Sequence, residues 1–146
     1  MNEVLRIAIQ KSGRLNEQSV QLLKECGVKI VNGSSTLKAR ATNCPVEALF
    51  LRDDDIPQYV EDAVADVGIL GENVVAEKEK NVKAIELLGF AKCRLSLAIR
   101  REEHYSGVKF FEGKKIATSY STILRNFLKK RKNVSEKSVI TTGLKT

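Results

Sequence analysis

Gln10-Lys11-Ser12-Gly13-Arg14-Leu15 brings a lysine, an arginine, a serine and a glycine together where an apolar run (residues 4–9) gives way to a helical pattern. At a strand-to-helix turn, these residue types present backbone N–H groups and two cations at the positive end of a helix dipole. That is chemistry suited to a phosphate. Neither G-x-x-x-x-G-K-[ST] nor G-x-G-x-x-G occurs, so the turn is not a standard nucleotide fingerprint. Other polar or basic turns also close apolar runs: Arg52 after Val46–Leu51, Gly71-Glu72-Asn73 after residues 67–70, and Thr118-Ser119-Tyr120 after Lys115–Thr118. In open α/β sheets, ligands bind beyond the carboxyl ends of the strands. These turns are therefore expected to line one cleft for a multiply anionic ligand.

Other chemistries are poorly supplied. His104 is the only histidine and lies in a polar stretch beside Glu102 and Glu103, so no Ser-His-Asp or Cys-His nucleophile can be assembled and no acid, base or nucleophile is assigned. Cys26, Cys44 and Cys93 are odd in number and far apart, which excludes a disulfide framework or zinc site; they are expected to be packing residues. Asp53-Asp54-Asp55 has the composition of a Mg²⁺ site, but three carboxylates opening a helix are adequately explained as caps and dipole partners, and no metal ligand is assigned.

The 146 residues carry a net charge of +7, placed unevenly. From Lys114 onward there are nine basic residues and one acidic, against 16 and 17 before it. Much of the excess is Lys129-Lys130-Arg131-Lys132, at the end of an expected helix, where cations complement the dipole; without interleaved aromatics it is not read as a nucleic-acid surface. The longest apolar stretches run only a few residues, and no basic-then-apolar leader opens the chain. The expectation is a cytoplasmic protein with no membrane partner.

The elements that must hold these turns alternate between strand and helix, which argues for an α/β sandwich with a largely parallel or mixed sheet. A helix over about residues 16–26 places Leu15, Ser19, Leu22, Leu23 and Cys26 on one face, and Gly27 stops it. Residues 28–31 and 36–41 read as extended pieces of a hairpin around Asn32-Gly33-Ser34-Ser35. Val46–Leu51, a helix from the aspartates with Ile56, Val60, Ala63 and Val64 inward, and residues 67–70 form a βαβ unit. Further strands are expected at residues 83–88 and 94–99. Another βα unit follows at Lys115–Thr118, its helix burying Ile123, Leu124, Phe127 and Leu128, and residues 138–142 end the chain in strand-like form.

The segments LRIAIQKSGRL, LFLRDDDIPQYVEDAVADVGILGENVV, CRLSLA and GKKIATSY, in this order, closely resemble those of ATP phosphoribosyltransferase, the first enzyme of histidine biosynthesis. The resemblance covers almost the whole chain, and the joint occurrence of RDDDIP, DVGI-x-GENV and CRLSLA makes it specific. It implies a two-lobed fold similar to periplasmic binding proteins, with 1–94 as the first lobe and 95–146 as the start of a second, truncated one. ATP and 5-phosphoribosyl diphosphate (PRPP) would meet between the lobes with Mg²⁺, in an enzyme that is a homo-oligomer when intact and feedback-inhibited by histidine through a C-terminal domain. On this resemblance Lys11, Ser12, Gly13 and Arg14 bind phosphate and Arg52 clamps a second anionic group. Asp66, Gly71, Glu72 and Asn73 add polar contacts, Arg94 lies at the lobe junction, and Thr118, Ser119 and Tyr120 face the cleft from the second lobe. The family's PRPP loop, resembling GLADAICDLVSTG-x-TL, has no counterpart here, so this chain is expected to be an inactive or partner-dependent N-terminal portion, marginally stable alone. The alternative is a non-catalytic, two-lobed solute-binding module.

Overall fold

The computed structural model describes residues 3–31, 36–131 and, as backbone, 139–142. The chain divides into two compact units, Met1–Cys93 and Arg94–Thr146.

In the first unit, β1 (Leu5–Gln10) lies between β3 (Val46–Leu51) and β4 (Val67–Ile69) and runs parallel to both, while β2 (Lys38–Arg40) pairs antiparallel with β3 at the edge. The order β2-β3-β1-β4 is the mixed sheet that the alternating pattern implied. Helix α1 (Arg14–Glu25) follows β1, α2 (Ile56–Glu61) follows a 3₁₀ turn at Asp53–Asp55, and α3 (Glu72–Lys78) follows β4. Strand alternation sends successive side chains to opposite faces and so builds two cores. Ile7 and Ile9 join Ala48, Phe50, Ala39 and Leu23 of α1 on one face, while Ala8 meets Ile56 of α2 and Ala65 on the other.

Close approach on the α2 face depends on Gly68. A Cβ there would lie 2.6 Å from Ile56 Cγ2 and 3.2 Å from Val60 Cγ2, and Ile56 is wholly buried. At the opposite end of β1 from Lys11, Arg6 grips Asp66. Its Nε and Nη2 donate to the two carboxylate oxygens at 3.1 and 2.8 Å, and its backbone N–H donates to Oδ2 at 2.7 Å. The hydrogen bonds from Arg6 hold the Asp66 carboxyl below its usual pKa, and Asp66 in turn raises that of Arg6. A lowered carboxylate pKa stabilises the fold above the ordinary aspartate range, near pH 4, and that contribution fades as pH falls through the folded-state value. Asp66→Asn should therefore lower the melting temperature at neutral pH, with the deficit closing under acid. A deficit that stays constant down to about pH 2 would contradict this role.

In the second unit β5 (Lys115–Thr118) leads into α4 (Ser121–Lys130), and β6 (Val139–Thr142) returns parallel to β5. Leu124 and Leu128 of α4, at the i, i+4 spacing, pack with Ile116 and Phe111, the latter from a 3₁₀ turn at Val108–Phe111. Among the described residues, no helix is long and apolar enough to cross a membrane.

Several expectations fail. Residues 28–31 form no strand, only an isolated bridge from Ile30 to Ala41. The ladder partner of β2 is β3, and the two extended pieces meet antiparallel only through that bridge and the bond from Thr42 N–H to Lys29 O at 2.9 Å; the expected turn at 32–35 lies outside the described residues. Helix α2 stops at Glu61, because Ala63 takes a left-handed φ of 55°, which leaves Ala63 and Val64 exposed. Residues 83–88 and 94–99 are not strands, since no described segment offers them a ladder partner; Ile85, Leu87, Leu95 and Leu97 are exposed. Phe127 lies beside the buried stripe of α4, partly exposed with Arg131 over its ring. Cys26 and Cys93 are exposed, so they are not packing residues.

Candidate functional site

The parallel register fixes where the turns of the first unit lie. Gln10 pairs with Leu51 and Ile9 with Ile69, so the chain leaves β1, β3 and β4 at the same edge of the sheet. Lys11-Ser12-Gly13, Arg52 and the Leu70-Gly71-Glu72-Asn73 turn therefore emerge side by side, at the edge where α/β sheets present ligands.

The first turn is the best defined. The Lys11 N–H donates to Leu51 O at 2.8 Å, extending the β1–β3 ladder by one bond and fixing the start of the turn against β3. Gly13 then adopts φ 85°, ψ −175°, a region closed to a side chain without strain, and serves as the N-cap of α1. A glycine cap brings no side-chain oxygen, and no side chain caps this helix, so the first-turn N–H groups of residues 14–16 have neither an intrahelical nor a side-chain capping partner, and Lys11 and Arg14 beside them are exposed. The Gly13 carbonyl accepts from Glu17 N–H at 3.1 Å, which begins the helix.

Sequence reasoning missed Asn16, whose Nδ2 donates to Gln10 O at 2.7 Å and ties the first turn of α1 to the last carbonyl of β1. The available signal was a side-chain amide three residues after a capping glycine. It also missed Arg6, the partner that occupies Asp66.

Arg52 is exposed and extended (φ −70°, ψ 140°), and its carbonyl accepts from Asp55 N–H at 3.0 Å. The aspartates that follow are engaged locally: Asp53 Oδ1 accepts from the Asp54 N–H at 2.9 Å, and Lys78 Nζ lies 3.6 Å from Asp54 Oδ1. Gly71 precedes α3, and its carbonyl accepts from Val74 N–H at 3.0 Å. The Asn73 side chain folds back against Gly71 where a Cβ would stand, so a side chain at 71 would displace the Asn73 amide.

Asp66 stands apart from this group. It precedes β4 at the far end of the sheet and is committed to Arg6. Arg94 is exposed, outside any helix or strand, at the start of the second unit. Thr118, Ser119 and Tyr120 form the β5–α4 turn, where Thr118 Oγ1 accepts from Tyr120 N–H at 2.9 Å and Tyr120 O accepts from Leu124 N–H at 3.0 Å. That turn repeats in the second unit the strand-to-helix arrangement of Lys11–Arg14.

A family model described as ATP phosphoribosyltransferase matches residues 52–143. The chain is 53% identical over 128 residues to the ATP phosphoribosyltransferase of Cytophaga hutchinsonii, covering 88% of this chain and 45% of that protein. It is 54% identical over 138 residues to the one from Bacteroides thetaiotaomicron, covering 94% and 49%. The chain thus spans about half the length of these curated relatives. The solved ATP phosphoribosyl transferase (HisG:HisZ) complex from Thermotoga maritima contains a chain of similar fold, with a TM-score of 0.64 at 21% identity over 96% of this chain and 64% of that one.

Proposed function

The chain belongs to the ATP phosphoribosyltransferase family, and from that membership we propose that it forms part of an enzyme that joins the phosphoribosyl group of PRPP to N1 of ATP. The products are phosphoribosyl-ATP and pyrophosphate, in the committed step of histidine biosynthesis. The observation that supports this most is the alignment of Lys11–Arg14, Arg52 and Gly71–Asn73 along the carboxyl edge of three in-register strands. The grouping is cationic and backbone-rich, as two polyphosphorylated substrates require.

The chemistry needs little more from the protein. Adenine N1 brings its own lone pair to ribose C1, the C1–O bond breaks with its electron pair leaving on pyrophosphate, and no base has to create the nucleophile. Alignment and charge stabilisation then supply most of the effect. Lys11, Arg14 and the open N–H groups of α1 bind a phosphate chain, Ser12 donates its hydroxyl, and Gly13 lets the backbone approach closely. Arg52 binds a second anionic group, and Gly71, Glu72 and Asn73 supply polar contacts. Arg94 and the Thr118-Ser119-Tyr120 turn are further contacts, from the second unit.

Mg²⁺ would arrive on the substrates' phosphates. Among the described residues, no three of His, Cys, Asp and Glu converge as a metal site. The two-lobed, periplasmic-binding-protein-like arrangement, with lobes at 1–94 and 95–146, and a homo-oligomeric cytoplasmic enzyme complete the reading. The test is phosphoribosyl-ATP formation from ATP, PRPP and Mg²⁺ by the protein that carries this chain. Product that depends on both substrates is expected. Tight binding of either without product would favour the solute-binding alternative instead.

A further inference from the structure

We infer that Asn16 is a positioning residue that sets the Lys11–Gly13 turn for its anion; this rests on the phosphate-binding role proposed for that turn. Two bonds meet on the Gln10–Lys11 peptide at the start of the turn: its N–H bonds Leu51 O at 2.8 Å, and its carbonyl accepts from Asn16 Nδ2 at 2.7 Å, which ties the first turn of α1 back across the turn to the end of β1. Within that span lies Gly13, at a φ of 85° that glycine alone adopts readily. Without the amide of Asn16, the last carbonyl of β1 would lose its tie to the helix. The N–H groups of residues 14–16 would then no longer be fixed relative to Lys11.

The residue type matters as much as the bond. Asn16 is the third residue of α1, where a capping box would place Glu or Gln reaching back to the cap. A carboxylate here would put negative charge at the mouth of an anion site. A neutral amide instead donates backward to Gln10 O and leaves the helix dipole and two cations to the ligand.

The experiment is calorimetric titration of the wild-type chain, N16A, N16Q and R14A with inorganic pyrophosphate, at about 50 and about 300 mM salt, with thermal melts alongside. A lost positioning bond weakens binding without removing charge. N16A should therefore bind roughly three- to tenfold more weakly by the same factor at both salts, and N16Q, which can still donate, should recover much of that loss. R14A should show a loss that shrinks as salt rises, because it removes a screened charge. N16A binding within twofold of wild type while R14A is weakened would overturn the inference and leave the site standing. R14A binding like wild type would instead remove the site itself, and the inference with it.

Discussion

Arg14→Ala is expected to weaken ATP or PRPP binding by about 1.5–3 kcal/mol, roughly ten- to 150-fold in affinity. Arg14 is the first residue of α1, exposed, beside a cap that offers backbone N–H groups and no side-chain oxygen. A phosphate at that point would take a charge-assisted bond from the guanidinium, and alanine returns that oxygen to water. Lys11→Ala should behave similarly, because its ammonium leaves the backbone one residue beyond β1 on the same edge. The two groups would share one anion, so their effects should couple rather than add. Unchanged affinity in both variants by calorimetry would refute phosphate recognition at this turn.

The second large effect concerns stability. Gly68→Ala places a methyl 2.6 Å from Ile56 Cγ2 in a contact where Ile56 has no exposed surface into which to move. Overpacking of this kind costs about 1–3 kcal/mol, and Ile56→Ala, which empties the same contact, about 2–5. The double variant should lose less than the sum, because the alanine at 56 lacks the methyl that the new Cβ strikes. A coupling of about 1 kcal/mol or more in a denaturant-melt cycle is expected. Strict additivity would show that something other than this clash limits the residue at 68.

Strands that find a ladder partner among the described residues were legible. Val46–Leu51 has the bounds expected of it, β1 is shifted by one residue from the expected 4–9, and β4 ends one residue short of the expected 67–70, because apolar runs ending in polar turns carry their own limits. The strand expectations at 83–88 and 94–99 rested on the same kind of run and failed. Apolar alternation states what a segment can do when a ladder partner lies beside it, not that one does. The end of α2 depended on a single residue, Ala63, turning left-handed, which no periodicity announces. Of the proposed site, the first-unit turns could be located once their strands were found, and parallel register then placed them together. Asp66 was misplaced because its carboxylate was read without Arg6, which lies 60 positions away in sequence. Asn16 was overlooked because its one signal, a side-chain amide three residues after a glycine, names no acceptor, and the one it meets is a backbone carbonyl, a group present at every residue.

The central position of β1 also bears on how the sheet comes into being. β1 lies nearest the N-terminus, yet both its neighbours, β3 and β4, come from far along the chain, and α1 alone packs nearby in sequence. Closing loops of that span before any ladder bond forms is entropically slow, so long-range pairing and not local helix formation should set the pace of assembly. During synthesis, Ile7, Ala8 and Ile9 must remain unpaired until Val46–Leu51 has been made and has left the ribosome. The strand that becomes the best-protected part of the first unit is thus, for a time, the part most open to pairing with a neighbouring nascent chain.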